Sequence, residues 1–187
     1  MSTKNTNSHL RVRMLCEGAM MVALAQVLSY IKLMELPNGG SLTPAMFPIL
    51  LFAVRWGLAP GLMAGFTFGL LQLIFDGAYA WGWQSMLLDY LVAFMALGTA
   101  EFFARPFKNR MVGVAVGTAI AGFLRFMCSF LSGVLVWGNL NEGLSAWTYS
   151  LVYNASYMLP ETLITVVGAV LLIKAAPQIF DRQYTKA

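Results

Sequence analysis

The stretch MVGVAVGTAIAGFLRFMCSFLSGVLVW, residues 111–137, contains a single charged residue, Arg125. A helix of this length rises about 40 Å, which exceeds the ~30 Å hydrocarbon core of a bilayer. A charge within a membrane span costs about 2.5–3.5 kcal/mol on insertion scales, so such a residue is usually paired and marks a functional site. The stretch therefore predicts a membrane helix that carries part of a site.

The composition of the whole chain extends this prediction. Charged residues make up 11% of the 187 residues and hydrophobic residues 59%, with a mean hydropathy of +0.69. Soluble domains contain about 25% charged residues, so we predict an all-α integral membrane protein. Apolar runs and helix breakers indicate six transmembrane helices, at residues 12–34, 44–56, 60–75, 85–103, 111–137 and 147–175. The membrane domain is expected over residues 11–177, between polar tails at 1–10 and 178–187.

The basic residues predict the orientation. With the N-terminus inside, the outer side holds one basic residue, Lys32. The inner side then collects Lys4, Arg11, Arg13, Arg55, Arg105, Lys108, Arg110, Lys174, Arg182 and Lys186. Because Lys and Arg accumulate in cytoplasmic loops, both termini are predicted to be cytoplasmic.

Several functions are disfavoured. His9 is the only histidine, and Cys16 and Cys128 stand alone in apolar surroundings, so we predict neither a metal site nor a disulfide framework. No G-x-x-x-x-G-K-[ST] loop occurs, so the chain does not hydrolyse ATP through a P-loop. The basic residues lie near span ends, which argues against a nucleic-acid partner. The spans lack a nucleophile with a nearby base, so we predict that the chain is not an enzyme; an intramembrane enzyme or structural subunit remains the alternative of another class.

Asp89 is the second charge that stands out inside an apolar stretch, about one turn below the outer end of its predicted span, and Tyr90 follows it. We expect an ion pair between Asp89 and Arg125. Arg125, Ser129 and Gly133 share one face of the fifth span, together with Ser132. At Gly133 a ligand could approach the backbone closely.

Aromatic residues cluster at the predicted outer ends: Tyr79, Trp81, Trp83, Tyr90, Trp137, Trp147, Tyr149 and Tyr153. They suit either an interfacial belt or a cage around a flat or cationic ligand. In span six, Tyr149, Tyr153 and Tyr157 form one stripe. Asn154 points about 140° away from Tyr149, so both line one pocket only if the span begins irregularly. Glu161 lies deeper, as a buried, paired acid without an assigned role.

Two small-residue patterns predict close helix contacts. Gly57, Gly61, Gly65 and Gly69 recur every four residues, which favours packing within the protein. Ala19 and Ala23 form a second such pattern, and periodicity alone leaves internal packing and a partner subunit as alternatives.

Several motifs together resemble a known family. They are Gly39-Gly40-Ser41, Pro48-Ile49-Leu50-Leu51 through Arg55-Trp56-Gly57, Leu88-Asp89-Tyr90-Leu91-Val92-Ala93, Ser132-Gly133 with Trp137, and Trp147-Thr148-Tyr149-Ser150-Leu151 with Tyr153-Asn154. The chain resembles the thiamine-specific S components of energy-coupling factor (ECF) transporters, the ThiT (YuaJ) family. The resemblance implies a six-helix, substrate-binding protein of the bacterial cell membrane with an outward-facing site.

The resemblance also implies roles for particular residues. The expected substrate-binding set is Asp89, Tyr90, Arg125, Ser129, Gly133, Trp137, Tyr149 and Asn154. It implies an irregular start of span six. It implies partners as well, namely two ATPase subunits that use ATP and a transmembrane coupling protein, which would dock at Ala19 and Ala23. The chain itself is expected to need no cofactor.

Two positions depart from the family pattern. Ser129 stands where a histidine can stand, and Thr43 where a glutamate of helix two can stand. Each departure removes a candidate ligand contact. A thiamine precursor or another vitamin is therefore the alternative ligand.

Overall fold

A computed structural model shows a bundle of six helices. It describes residues 3–37, 39–76, 80, 82–137 and 145–183, with side chains from Ser8 onward except that of Trp137. The helices are α1 (Thr3–Ser29), α2 (Met46–Trp56), α3 (Leu58–Asp76), α4 (Gly82–Ala104), α5 (Arg110–Ser132) and α6 (Ala146–Ala175). The predicted all-α fold is confirmed.

The membrane-spanning character is carried by five of these helices. α1, α3, α4, α5 and α6 are long and apolar enough to cross a bilayer, whereas α2 is shorter. All residues of α2 except Phe47 are buried, so the neighbouring helices shield it. Large apolar side chains such as Met63 and Ile74 are exposed on the outside, where lipid would cover them.

The end of the first predicted span was wrong. α1 ends at Ser29 rather than near residue 34, and the chain then forms a short antiparallel hairpin of β1 (Met34–Glu35) and β2 (Ser41–Leu42). Gly39 turns the hairpin with a φ of 87°, which favours glycine. Leu36 packs against the buried cluster of Phe126, Tyr157 and Met158. The hairpin therefore lies over one end of the bundle, where it contacts α5 and α6.

Two helices deviate from regular α geometry. Met86–Val92 in α4 and Gly133–Trp137, which continues α5, have the wider turns of a π-helix. Such segments often occur at functional sites because they re-aim side chains. Asp89 and Tyr90 lie in the first and Gly133 in the second. Neither segment was predicted from the sequence.

Three glycines of the four-residue pattern, Gly61, Gly65 and Gly69, lie in α3 and are called the glycine ladder. The ladder brings α3 against α4, which confirms the prediction of packing within the protein. A Cβ atom at Gly65 would overlap the carbonyl oxygen of Phe94, and one at Gly69 that of Tyr90. Only glycine permits this approach, so the ladder fixes where the π-helical segment of α4 lies.

The opposite end of the bundle is closed by charged side chains. Glu101 accepts from Arg110 at 2.8 Å and from Arg182 at 2.7 Å. Arg110 also donates to the carbonyl oxygens of Val54 and Phe180, and Phe180 is buried. The 3₁₀ turn Pro177–Phe180 is thereby held against α2 and α5. The basic residues agree with the predicted inner side, although the side of the membrane stays a prediction.

Replacing Gly69 with alanine tests the ladder. We expect the melting temperature of the detergent-solubilised protein to fall, with a loss of about 1–3 kcal/mol typical of overpacking. Gly168→Ala is the matched control because its Cβ would lie 3.8 Å from Phe47, an ordinary contact. Equal melting temperatures for the two variants would contradict the packing role of Gly69.

Candidate functional site

A polar pocket of about 830 Å³, including open solvent at its mouth, lies between the hairpin and helices α3 to α6. It is lined by Gly39, Gly40, Ser41, Gln72, Asp76, Ser85, Asp89, Tyr90, Phe94, Arg125, Ser129, Gly133, Tyr149, Ser150, Tyr153, Asn154 and Tyr157. All the predicted site residues except Trp137 are among these.

Asp89 is held by hydroxyl groups. Ser85 donates to its Oδ2 at 2.8 Å from one turn earlier, and Ser132 donates to the same oxygen from α5. Among the described side chains, Asp89 forms no ion pair. Its carboxylate is therefore oriented without a cation in contact with it.

The expected ion pair between Asp89 and Arg125 was wrong. Arg125 Nη1 lies 2.6 Å from Glu161 Oε2, and the same nitrogen contacts Met46 Sδ at 2.8 Å. The guanidinium carbon also lies 4.8 Å from the centre of the Phe94 ring. Glu161 therefore forms the ion pair with Arg125, and Asp89 lies beyond ion-pair distance of the guanidinium. The expectation that Glu161 is a buried, paired acid is confirmed.

Thr43 lies before α2 rather than within it. Its side chain is buried and donates to Glu161 Oε1 at 3.2 Å. It is not among the residues that line the pocket. Thr43 therefore supports the ion pair rather than contacting a ligand.

Tyr149 and Asn154 both line the pocket although α6 begins regularly, with Ser145 as its N-cap. The expectation of an irregular start was wrong because the pocket follows a wide arc of the helix. At about 100° per residue, Tyr153, Tyr157 and Ser150 lie between the two, at about 40°, 80° and 100° from Tyr149. A concave wall of about 140° therefore accommodates all of them.

The tyrosines of α6 form a continuous aromatic wall. The rings of Tyr149 and Tyr153 stack at 5.8 Å between centroids, and Tyr153 meets Tyr157 edge to face at the same distance. The Tyr153 hydroxyl accepts from the backbone N–H of Gly40 at 2.9 Å. This bond ties the hairpin to the wall. The predicted stripe is thus confirmed.

Asn154 is engaged mainly by the protein. Its Nδ2 donates to the Ser150 carbonyl at 2.9 Å and to the Ser129 carbonyl at 3.4 Å, while Oδ1 accepts from Tyr157 at 3.1 Å. An amide oxygen has two lone pairs, so Oδ1 can accept one further hydrogen bond. Asn154 would thus read a ligand donor rather than an acceptor.

Gly133 lines the pocket, but its missing side chain has a packing role. A Cβ there would overlap the Ser150 hydroxyl. That hydroxyl donates to the Phe130 carbonyl at 2.6 Å. The expectation that a ligand approaches the backbone at Gly133 stays a prediction.

Several predicted aromatic residues fall outside the pocket or outside the described part. The side chain of Trp137 is not described, nor are Tyr79 and Trp81, so their roles stay predictions. Trp83 and Trp147 are exposed and do not line the pocket. Their positions suit an interfacial belt.

Sequence reasoning missed Ser85, Gln72 and Phe94 as parts of the pocket wall, whereas the hairpin residues Gly39, Gly40 and Ser41 belong to a motif of the family resemblance. Ser85 could have been found, because it precedes Asp89 by four residues and such pairs face each other on a helix. Gln72, which donates to Gln26 at 3.1 Å, had no comparable signal. Within the described residues, no group of three or more His, Cys, Asp or Glu side chains could hold a metal ion.

Comparisons with known proteins agree with this geometry. A model of the family described as thiamine transporter protein (Thia_YuaJ) matches residues 15–181. The thiamine transporter ThiT of Bacillus subtilis is 34% identical over 177 residues, which cover 88% of this chain and 92% of the relative. The thiamine transporter ThiT of Lacticaseibacillus paracasei is 32% identical over 188 residues and 92% of each chain.

Solved structures show the same fold. ThiT from Listeria monocytogenes superposes with a TM-score of 0.80 at 27% identity, over 91% of this chain and 98% of the other. The S component of a bacterial ECF transporter superposes with a TM-score of 0.64 at 18% identity, over 92% and 99% of the two chains. The second likeness concerns the fold alone.

Replacing Asn154 with alanine tests its packing role. We expect the ligand-free protein to lose about 1–3 kcal/mol, because the buried Tyr157 hydroxyl loses its acceptor. Ser156→Ala is the control, since that exposed hydroxyl bonds only the Tyr153 carbonyl one turn away. Thermal unfolding in detergent measures both. Equal shifts would contradict the packing role of Asn154.

Proposed function

The chain belongs to the thiamine transporter protein family (Thia_YuaJ), and on this premise we propose that it is the substrate-binding S component of an ECF transporter. It captures thiamine from the extracellular side. Partner subunits then use ATP to drive uptake.

The observation that carries the proposal is the charge of the pocket. Arg125 forms an ion pair with Glu161, whereas Asp89, among the described side chains, is bound by serine hydroxyls and has no cation in contact with it. The pocket wall therefore carries a carboxylate that is not engaged in an ion pair with a described side chain. Thiamine carries a permanent positive charge on its thiazolium ring, and a carboxylate away from bulk water favours such a cation strongly.

The aromatic wall suits the rest of the ligand. Tyr149 and Tyr153 present stacked rings beside the pocket, and cation–π contacts contribute about 0.5–2 kcal/mol each. We propose that Tyr90 and Trp137 complete the cage around the two rings of thiamine. The second lone pair of Asn154 Oδ1 would accept from the amino group of the pyrimidine.

A thiamine precursor is the second candidate ligand. Ser129 supports it, because a buried serine replaces the histidine of the family pattern in the pocket wall. Thr43, the other departure, lies outside the wall and does not bear on the ligand directly. Competition of bound thiamine with pyrimidine and thiazole fragments separates the two candidates.

The partner surface is proposed on α1. Ala19 and Ala23 are exposed on this helix, away from the pocket. Small exposed residues four positions apart allow another membrane helix to approach closely. We assign this face to the transmembrane coupling protein.

Replacing Asp89 with asparagine tests the ligand site. We expect thiamine affinity to fall about 100-fold, because the carboxylate charge is lost while the side-chain shape remains. Calorimetric titration of the detergent-purified protein measures it. Folding should survive, since Arg125 keeps Glu161 as its partner.

Asp181→Asn is the control for this variant, because it removes an exposed acid near the opposite end of the bundle. Its affinity should equal that of the unchanged protein. Unaltered affinity in Asp89→Asn would refute the site assignment. Absence of thiamine binding by the folded, unchanged protein would refute the proposed function.

Leucine at Ala19 and Ala23 tests the partner surface. The double variant should bind thiamine normally but no longer co-purify with the coupling protein and ATPase subunits, because the larger side chains prevent close approach. Thr67→Leu enlarges a small exposed residue on α3 and is the control. An intact complex with both leucines present would contradict the docking assignment.

A further inference from the structure

The Arg125–Glu161 ion pair lies at the edge of the pocket with its two members at different depths. Arg125 lines the pocket, whereas Glu161 does not. Their side chains are 11% and 2% exposed, respectively. A ligand in the pocket would therefore meet the arginine side of the pair and not the glutamate.

Glu161 is itself held in place. Thr43 donates to one carboxylate oxygen at 3.2 Å, and Arg125 binds the other at 2.6 Å. The Thr43 oxygen also lies 3.4 Å from the backbone nitrogen of Ala45, at the approach to α2. The glutamate thus joins α6 to α2 and draws the guanidinium towards the two.

The ion pair determines which charged group of the pocket wall is left without a partner in contact. The acids Asp76 and Asp89 and the base Arg125 line the pocket. Glu161 is a further acid behind the wall, in contact with Arg125. With Glu161 present, Arg125 has an acid in direct contact, whereas Asp89 has no cation within ion-pair distance among the described side chains. Without Glu161, Arg125 would lack an acid in contact with it, and Asp89 and Asp76 would be the remaining acids on the pocket wall.

From this geometry we propose that Glu161 is a positioning residue for charge selectivity: by holding Arg125, it keeps Asp89 available as the counter-ion of a cationic ligand. This inference rests on the proposed function, because it concerns the same pocket. It assigns the preference for a positive charge to a residue that does not touch the ligand.

The test compares two ligands of one shape. The first is thiamine, and the second is its neutral analogue in which a thiophene ring replaces the thiazolium. The readout is the dissociation constant of the neutral analogue divided by that of thiamine, measured by calorimetric titration. A larger ratio means a stronger preference for the cationic ligand. Glu161→Gln keeps the size and the hydrogen bond to Thr43 but removes the charge. We expect the preference for thiamine to fall about 30-fold, since an uncompensated cation then faces the pocket.

A double variant controls for the loss of the pair. Arg125→Met combined with Glu161→Gln removes both charges, and replacing both members of a buried pair is far less destabilising than removing one. Asp89 again lacks a cationic partner, so the ratio should return to that of the unchanged protein, even if both affinities fall. Asp181→Asn changes the net charge by the same amount at a distance and should leave the ratio unaltered.

Two results would overturn the inference. The first is an unchanged ratio in Glu161→Gln. The second is a ratio in the double variant about tenfold above that of the unchanged protein, because this would mean that Arg125 already compensates Asp89. The second result decides the matter even if Glu161→Gln does not fold. Failure of the unchanged protein to bind thiamine would instead refute the proposed function.

Discussion

The close contact between α3 and α4 determines where the site can form. At Gly65 and Gly69 the helices approach until carbonyl oxygens of α4 occupy the space of missing side chains. One of these oxygens belongs to Tyr90, within the π-helical segment that also carries Asp89. The acid is thus positioned by backbone packing rather than by a charged partner. Ser85 and Ser132 then orient its carboxylate from the same helix and from α5.

Other acids of the bundle, unlike Asp89, form ion pairs with arginines. Glu101 is bound by two arginines, and Glu17 lies 2.5 Å from Arg55. Glu161 is paired with Arg125 within the membrane-spanning part. Because a charge in an apolar environment requires compensation, such pairing is the expected state. Asp89 departs from it among the described residues, and this departure coincides with the pocket.

The sequence predicted much of this arrangement but not the connections within it. Periodicity placed Arg125, Ser129 and Gly133 on one face, and the family resemblance brought Asp89 and the residues of α6 to the same place. The acid that binds Arg125 was predicted wrongly. Asp89 and Glu161 lie in different spans, and the relative rotation of these helices depends on tertiary packing. The hairpin was missed because the first predicted span extends across Lys32 to Met34 and so includes the start of the first strand. The wide arc formed by Tyr149 and Asn154 was missed because a pocket wall was treated as a narrow stripe.

The pocket is built from two pairs of helices that are joined in different ways. α3 and α4 meet through glycine contacts, whereas α5 and α6 are connected by the hydrogen bonds of Ser150 and Asn154. A molecule that contacts Asp89 on one pair and the tyrosines on the other becomes a cross-link between them. Occupancy therefore adds to the free energy of unfolding, by about 2.7 kcal/mol at a ligand concentration one hundred times the dissociation constant. The loaded bundle would move as a more rigid body than the empty one.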